Sequence, residues 1–349
     1  MNLNNQEVSL CLIGFGNAAQ AFCKMLMEQE ATLKQKCGTA VKVTAIATRR
    51  KGVLMDLAGI QLERALNEVG TAGKFMDENP QKISLNTLEC IEQSKADVLI
   101  ELSTVSIEDG QPAIGHIETA LENRMHVITA NKGPIAWDYR RLKEMADQRK
   151  IELLHEAVVL DGAPVFNMMR EVMPGCQVMS FKGILNTTSN YILEEMEKGN
   201  VFEEAVAEAQ RRGFAEADPS LDVDGWDAAA KTSALLNVLM DGDTNPGQIR
   251  RQGIGKISLE NLKAAAEKNG KIKLICEGFM ENGRPAGRVS PEFVSRSNLF
   301  STIDSTSSVL SITTDLMGEI CMVERDPEIQ QTAYGIYSDL LTLIGKLAK

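Results

Sequence analysis

The chain has 349 residues, 44% of them apolar and 24% charged, and its formal charge at pH 7 is -11. This is a globular composition with material for about two domains of roughly 150 residues each, and it excludes a disordered or low-complexity chain. The negative balance opposes phosphate backbones and anionic lipid, so neither a nucleic-acid nor a membrane partner is expected.

Val8 to Ile13 is a short apolar run that stops at Gly14, as a buried parallel strand does. After Asn17 the pattern turns helical, with Phe22, Met25 and Leu26 at i, i+3 and i+4 on one face. A second strand is expected at about 41–47, followed by an amphipathic stretch to Val69. Further strands fall at 97–103, 125–130 and 151–159, with helices near 114–122 and 137–149 between them. Strand and helix in alternation predict an α/β fold, a doubly wound parallel sheet of the Rossmann type.

Beyond Val159 the rhythm changes. Helices at 164–173 and 189–198 flank a strand at 178–185, and two more helices are expected at 202–212 and 226–240. Asn282-Gly283, between strand-like runs over 271–294, reads as a hairpin turn. A final amphipathic helix covers about 328–347. The second domain is therefore α+β. We place a dinucleotide-binding domain at 1–150, with the last helix (about 322–349) packing back on it, and the second domain at 151–321.

The loop Gly14-Phe15-Gly16-Asn17-Ala18-Ala19 has the form G-x-G-x-x-A. Its first glycine permits a tight turn, and its second lets the backbone approach a pyrophosphate lying on the helix amides. The motif alone is weak, but its place between first strand and first helix is specific. It predicts a nicotinamide-type dinucleotide held by Gly14, Phe15, Gly16, Asn17 and Ala18. The second strand ends Ala47-Thr48-Arg49-Arg50-Lys51, with no acid to accept from the adenosine ribose. Arg49 and Arg50 suit a 2′-phosphate, so NADP(H) is favoured over NAD(H). Ser103 and Thr104, at the end of the 97–103 run, and Lys132, at the C-terminal end of the 125–130 strand, lie where open α/β sheets place their ligands.

Residues 214–231 carry Glu216, Asp218, Asp222, Asp224 and Asp227 ahead of an alanine-rich helix. Capping and the helix dipole explain one or two of these acids, not five. Asp227 and Lys231 are i,i+4 neighbours, and a carboxylate beside an ammonium keeps the lysine charged and oriented. A group that polarises a carbonyl or donates a proton needs both properties. Taken alone, the pair is a surface salt bridge worth about 0.3–0.5 kcal/mol. Asn186-Thr187-Thr188-Ser189-Asn190-Tyr191 reads either as a helix cap or as a set of donors facing a small polar substrate. Seven cysteines, with no C-x-x-C pair, fit reduced thiols and a cytoplasmic protein. His116, His126 and His155 are isolated, so no transition metal is expected.

Taken in order, GFGNAA, TANKGPIA, HEAVVLDGAPV, KGILNTTSNYIL and GFAEADPSLDVDGWDAAAK resemble homoserine dehydrogenase in its short form, without a regulatory ACT extension. The likeness runs over about residues 8–240, and more loosely to the end. It implies an oxidoreductase that interconverts L-homoserine and L-aspartate 4-semialdehyde with NAD(P)(H), on the route to threonine, isoleucine and methionine. It also implies a homodimer joined through the second domain, which would be the substrate and dimerisation domain. Carried onto this chain, the resemblance makes Lys231 the catalytic lysine and Asp227 its partner. Lys132 becomes a second lysine near substrate and nicotinamide, and Glu216 the binder of the substrate's amino group, with Asp222 and Thr188 beside it. It further implies a monovalent cation, Na+ or K+, on backbone oxygens around Glu156, Val159, Asp161 and Gly162. Three features depart from the family: Thr187 replaces a glycine, Phe214 a tyrosine, and the charged segment Val323–Glu328 a glycine-rich loop near the cofactor. These fit a dehydrogenase of a related small hydroxy or aldehyde amino acid, or a cofactor-sensing paralogue. A sensor, however, needs the phosphate loop but not Lys231.

Overall fold

The run from Val8 to Ile13, buried along its whole length, makes β1 (Glu7–Ile13) an inner strand of a seven-stranded sheet. It is seen in a computed structural model that describes residues 7–347. Helix α1 (Asn17–Cys37) leads to β2 (Ala40–Thr48), parallel to β1. The chain then doubles back as β3 (Gly52–Met55) and, after α2 (Leu62–Ala72), as β4 (Lys82–Ile83), both in antiparallel pairings. Helix α3 (Thr87–Ser94) carries it to β5 (Val98–Glu101) on the other side of β1. Next come α4 (Ala113–Glu122), β6 (His126–Thr129), α5 (Lys132–Arg149) and β7 (Leu153–Leu154). The strand order is β4-β3-β2-β1-β5-β6-β7, so the direction of winding reverses between β1 and β5. In open α/β sheets that reversal marks the ligand crevice.

The rest of the chain builds a mixed sheet of order β13-β12-β8-β10-β11-β9. A short α6 (Val165–Asn167) runs into a π-turn at Met168–Val172 and then β8 (Val178–Ile184). Helices α7 (Thr187–Glu197), α8 (Phe202–Arg211), α9 (Ser220–Val223) and α10 (Trp226–Leu239) follow. After β9 (Arg250–Arg251) and α11 (Leu259–Glu267), the hairpin β10 (Gly270–Glu281) and β11 (Arg284–Ser295) turns at Asn282-Gly283, both at positive φ. Strands β12 (Ser308–Thr314) and β13 (Gly318–Glu324) complete the sheet. The last helix, α12 (Ile329–Leu347), places Ala333, Ile336, Leu340 and Leu343 in one apolar core with Val8 and Leu10 of β1 and Phe22 of α1.

The chain divides into two compact units. One holds the stretch up to Pro134, Arg140–Pro164 and the stretch from Glu328; the other holds Ile135–Tyr139 and Val165–Pro327. The break expected at 150 therefore moves to 164, and residues 322–327 lie in the second unit rather than with the last helix. Residues 135–139 join the second unit because α10 takes their carbonyls: Ser233 Oγ donates to Ala136 O (2.9 Å) and Asn237 Nδ2 to Ile135 O (3.1 Å). Helix α5 kinks at Asp138, where φ is -148°.

Other expectations change as well. The strand expected at 151–159 is only β7, because the chain breaks into a 3-10 turn at Glu156–Val158 whose first N–H donates to the Asp339 carboxylate of α12 (2.7 Å). The helix expected at 164–173 is α6 and its π-turn. Val323 and Glu324 are not loop residues: they end β13, opposite Val309 and Ser308.

Candidate active site

In the first unit the glycine loop closes on the ends of β2 and β5. Gly14 has φ +97°, and a Cβ there would stand 2.2 Å from the Leu102 carbonyl oxygen, so only glycine fits. Its N–H donates to Ala47 O (2.9 Å), tying the loop to β2. Gly16 is the N-cap of α1, yet a Cβ on it would meet nothing within 4 Å. The protein's own packing leaves room over the first amides of α1, where no side chain caps and no acid stands in the first turn. An anion held by backbone N–H groups needs that room. Asn17 is exposed and Ala18 half-buried beside this opening.

Phe15 faces the other way. Its ring is buried against Phe75, with centroids 5.6 Å apart, so only its backbone belongs to the loop. The Phe15 carbonyl accepts from Gln20 Nε2 (3.2 Å) and from Lys51 Nζ (2.6 Å). Arg49 and Arg50 are exposed in the turn between β2 and β3, which Lys51 N–H closes on Thr48 Oγ1 (2.8 Å). The basic tripeptide is thus divided: two guanidinium groups in solvent and one ammonium bracing the glycine loop.

On the other side of the switch point, Glu101 ends β5 with no exposed surface. Its carboxylate accepts from Ser103 N–H (3.2 Å) and lies 3.2 Å from His116 Nδ1, while Thr129 Oγ1 donates to the Glu101 carbonyl (3.2 Å). Asn131 caps α5 by accepting from Gly133 N–H (3.0 Å) and donates to Ser103 O (3.2 Å). Lys132, half-buried, begins α5. Ser103 Oγ is buried and makes no hydrogen bond among the described residues, and Thr104 is exposed. A buried hydroxyl without a partner is costly, which suits a group arriving from outside. With the open Gly16, it makes the loop fit a dinucleotide.

The second unit brings together residues from β8, α7, α9 and α10. Lys231 Nζ donates to Leu185 O (2.7 Å) and stands 3.9 Å from Asp227 Oδ2; its side chain is 18% exposed. Asn186 Nδ2 donates both to Asp222 Oδ1 (2.6 Å) and to Asp227 Oδ2 (2.9 Å). Thr188 Oγ1 donates to Phe214 O (2.7 Å). The Phe214 ring meets the Tyr191 ring edge-on at 5.0 Å, so it serves packing. Thr187 is the first residue of α7. Glu216 stays apart from this network, exposed on the loop before α9, its carbonyl accepting from Gln210 Nε2 (3.0 Å).

The 156–162 segment is fastened to α12. Thr332 Oγ1 donates to Asp161 Oδ1 (2.7 Å), Asp161 has φ +41°, and a Cβ on Gly162 would stand 2.3 Å from Gln331 O. Glu156 and Val159 are buried. The contributions of Glu101, Lys51 and Asn186 were not expected from sequence. Asn186, inside the polar run 186–191, and Lys51, in the basic run after the second strand, carried some signal there, but not for these contacts.

A glycine loop at the switch point of a doubly wound sheet, with a second unit presenting an ammonium among carboxylates, defines the class: a nicotinamide-dependent dehydrogenase. Residues 14–156 match the family model for the NAD-binding domain of homoserine dehydrogenase, and residues 164–341 match the homoserine dehydrogenase model. The chain is 34% identical to the homoserine dehydrogenase of Methanocaldococcus jannaschii, over 98% of this chain and 100% of that one. It is 30% identical to the NAD(+)-dependent homoserine dehydrogenase of Pseudomonas canavaninivorans, over 96% of each. A solved structure from Archaeoglobus fulgidus, assigned as a homoserine dehydrogenase, superposes with a TM-score of 0.86 at 30% identity, covering 97% of this chain and 99% of that one. The chain belongs to the homoserine dehydrogenase family. No helix among its described residues is long and apolar enough to cross a membrane.

Proposed function

We propose that this chain interconverts L-homoserine and L-aspartate 4-semialdehyde with NADP(H) favoured over NAD(H), the first unit holding the dinucleotide and the second the amino-acid substrate. The observation that carries this reading is the placement of Lys231, partly exposed, with one N–H used on Leu185 O and Asp227 at 3.9 Å. The remaining ammonium donors are available to a substrate oxygen.

A bound nicotinamide supplies the hydride for aldehyde reduction, or accepts it from the alcohol. Lys231 stabilises the negative charge that develops on the substrate oxygen, and the proton comes from its ammonium or from a water that it orients. Asp227, 3.9 Å from Lys231 Nζ, orients it. Lys132 is the second active-site lysine. Glu216 and Asp222 supply the negative charge that a substrate ammonium requires, and Thr188 ties α7 to the loop that bears Glu216. Ser103, Thr104 and the 14–18 loop hold the dinucleotide.

The preference for NADP(H) is supported by the lack of a carboxylate in Thr48-Arg49-Arg50-Lys51 after β2, and by the exposure of both arginines to a 2′-phosphate. We also assign a Na+ or K+ ion to Glu156, Val159, Asp161 and Gly162, because carboxylate and carbonyl oxygens are the hard ligands such an ion takes. The active form is a homodimer joined through the second unit, whose strands expose Met179 and Phe293. A cytoplasmic location agrees with seven unbridged cysteines.

The test is reduction of aspartate 4-semialdehyde by the purified chain with each cofactor in turn, followed by nicotinamide absorbance. Turnover with a higher kcat/KM for NADPH than for NADH is expected. No turnover with either cofactor would overturn the activity, and a preference for NADH would overturn the cofactor assignment alone.

A further inference from the structure

Helix α7 needs an N-cap, and serine, threonine, aspartate and asparagine all serve at that position. The residue present is Asn186, 5% exposed. Its Oδ1 accepts from Ser189 N–H (2.8 Å) and Ser189 Oγ (2.6 Å). A backbone N–H can only donate, so this contact fixes which end of the amide is oxygen. Nδ2 therefore points away from the helix, and its two hydrogens go to two different carboxylates, Asp222 on α9 and Asp227 on α10.

We infer that Asn186 is a positioning residue for the reaction: a single neutral amide clamps Asp222 and Asp227 together and presents Asp227 to Lys231. Each alternative cap fails at this task for a different reason. Serine and threonine would cap α7 but have no second arm to donate. Aspartate would cap equally well, but it would turn a third carboxylate toward the other two. Two carboxylates drawn to one point repel, and the repulsion favours protonating one of them; hydrogen bonds donated to both favour the ionised forms.

The neighbouring residue completes the device. Leu185 O accepts from Lys231 Nζ at 2.7 Å, so consecutive residues at the corner from β8 to α7 hold the cation by an acceptor and the anions by a donor. Cys276 of β10 also faces this cluster. Burial pushes its thiol up to about 12, so it stays neutral. This inference rests on the assignment of Lys231 and Asp227 to the reaction.

The test uses two variants of the full chain. Asn186→Asp keeps the capping oxygen and the side-chain shape while replacing two donors by a carboxylate. Asn186→Ser keeps a capping oxygen and stays neutral. Both should bind NADPH with unchanged affinity and unfold within a few degrees of the parent. In both, kcat for aspartate 4-semialdehyde should fall, by about 100-fold in Asn186→Asp. With carbon-13 in the aspartate carboxyls, NMR should show the titration midpoints of Asp222 and Asp227 rising by about one pH unit or more in Asn186→Asp. Parental kcat in both variants, or unmoved carboxylate midpoints, would overturn the clamp. A parent chain inactive on both substrates would overturn the activity instead, and the carboxylate titrations would still decide the clamp.

Discussion

Replacing Lys231 with methionine removes one ammonium and keeps most of the aliphatic chain. Two interactions are lost: the charge-assisted bond to Leu185 O at 2.7 Å and the pairing with Asp227 at 3.9 Å. The first is worth about 1.5–3 kcal/mol. The second has a Coulomb energy of about 4 kcal/mol at an effective dielectric of about 20. Against both stands the cost of desolvating a side chain that is only 18% exposed, a cost methionine does not incur. The net loss of stability should be about 1–2 kcal/mol, a few degrees in Tm. The catalytic loss should be larger, because a positioned donor to a developing oxyanion contributes about 10²–10³ in kcat. Steady-state rates with aspartate 4-semialdehyde, NADPH binding by fluorescence titration and calorimetric unfolding separate the two effects. A Lys231→Met protein that binds NADPH normally, stays folded and keeps kcat within about tenfold of the parent would refute the assignment.

The two glycines of the loop should respond in opposite ways to the same change. Gly16→Ala meets no neighbour and should fold normally while weakening NADPH binding; Gly14→Ala, with its Cβ 2.2 Å from Leu102 O and φ +97°, should lower Tm markedly whether or not cofactor is added. In the second unit, Asp304 Oδ1 accepts from Lys271 (2.6 Å) and from the fully buried Lys273 (3.1 Å). Asp304→Asn leaves both ammonium groups short of charge and should cost about 2 kcal/mol by urea unfolding, below the range for fully buried pairs because Asp304 is 45% exposed. Burial pushes the Asp304 carboxyl up, but the Lys271 hydrogen bond and the Lys273 charge outweigh it and hold the group below the usual carboxylate range. Its stabilisation is therefore complete above about pH 4 and is lost as pH falls through the lowered value. The Asn variant should lack that part of the acid dependence, and an unchanged pH slope would contradict the pairing.

Gly14, Gly16 and the turn at Asn282-Gly283 were legible in the sequence because each is a local device, set by φ and by the spacing of its flanking strands. Lys231 and Asp227 were legible as a pair for the same reason, being one helical turn apart. The parts that were not legible depend on distant partners. Glu101 ends an apolar strand and has no meaning until His116 and Thr129 close around it. Lys51 looks like a third solvated cation, yet it reaches a carbonyl 36 residues earlier. Asn186 reads as a cap, and its other two bonds go to acids 36 and 41 residues away. The strand expected through Val159 is cut short by α12, whose Asp339 takes the Glu156 N–H across 183 residues of sequence. Phe214 reads as a lost hydroxyl until Tyr191 is seen beneath its ring.

Helix α12 has a consequence for how the chain is made. Ala333, Ile336, Tyr337, Leu340, Leu343 and Ile344 belong to the same apolar core as β1 and α1. The ribosome delivers them only after residues 165–327 have been synthesised. The dinucleotide-binding half therefore emerges first with an apolar groove where its last helix belongs. The other half, continuous in sequence apart from Ile135–Tyr139, can condense while that groove is still open. Completion of the first unit's core therefore waits for the last residues to be made, although its strands are made first.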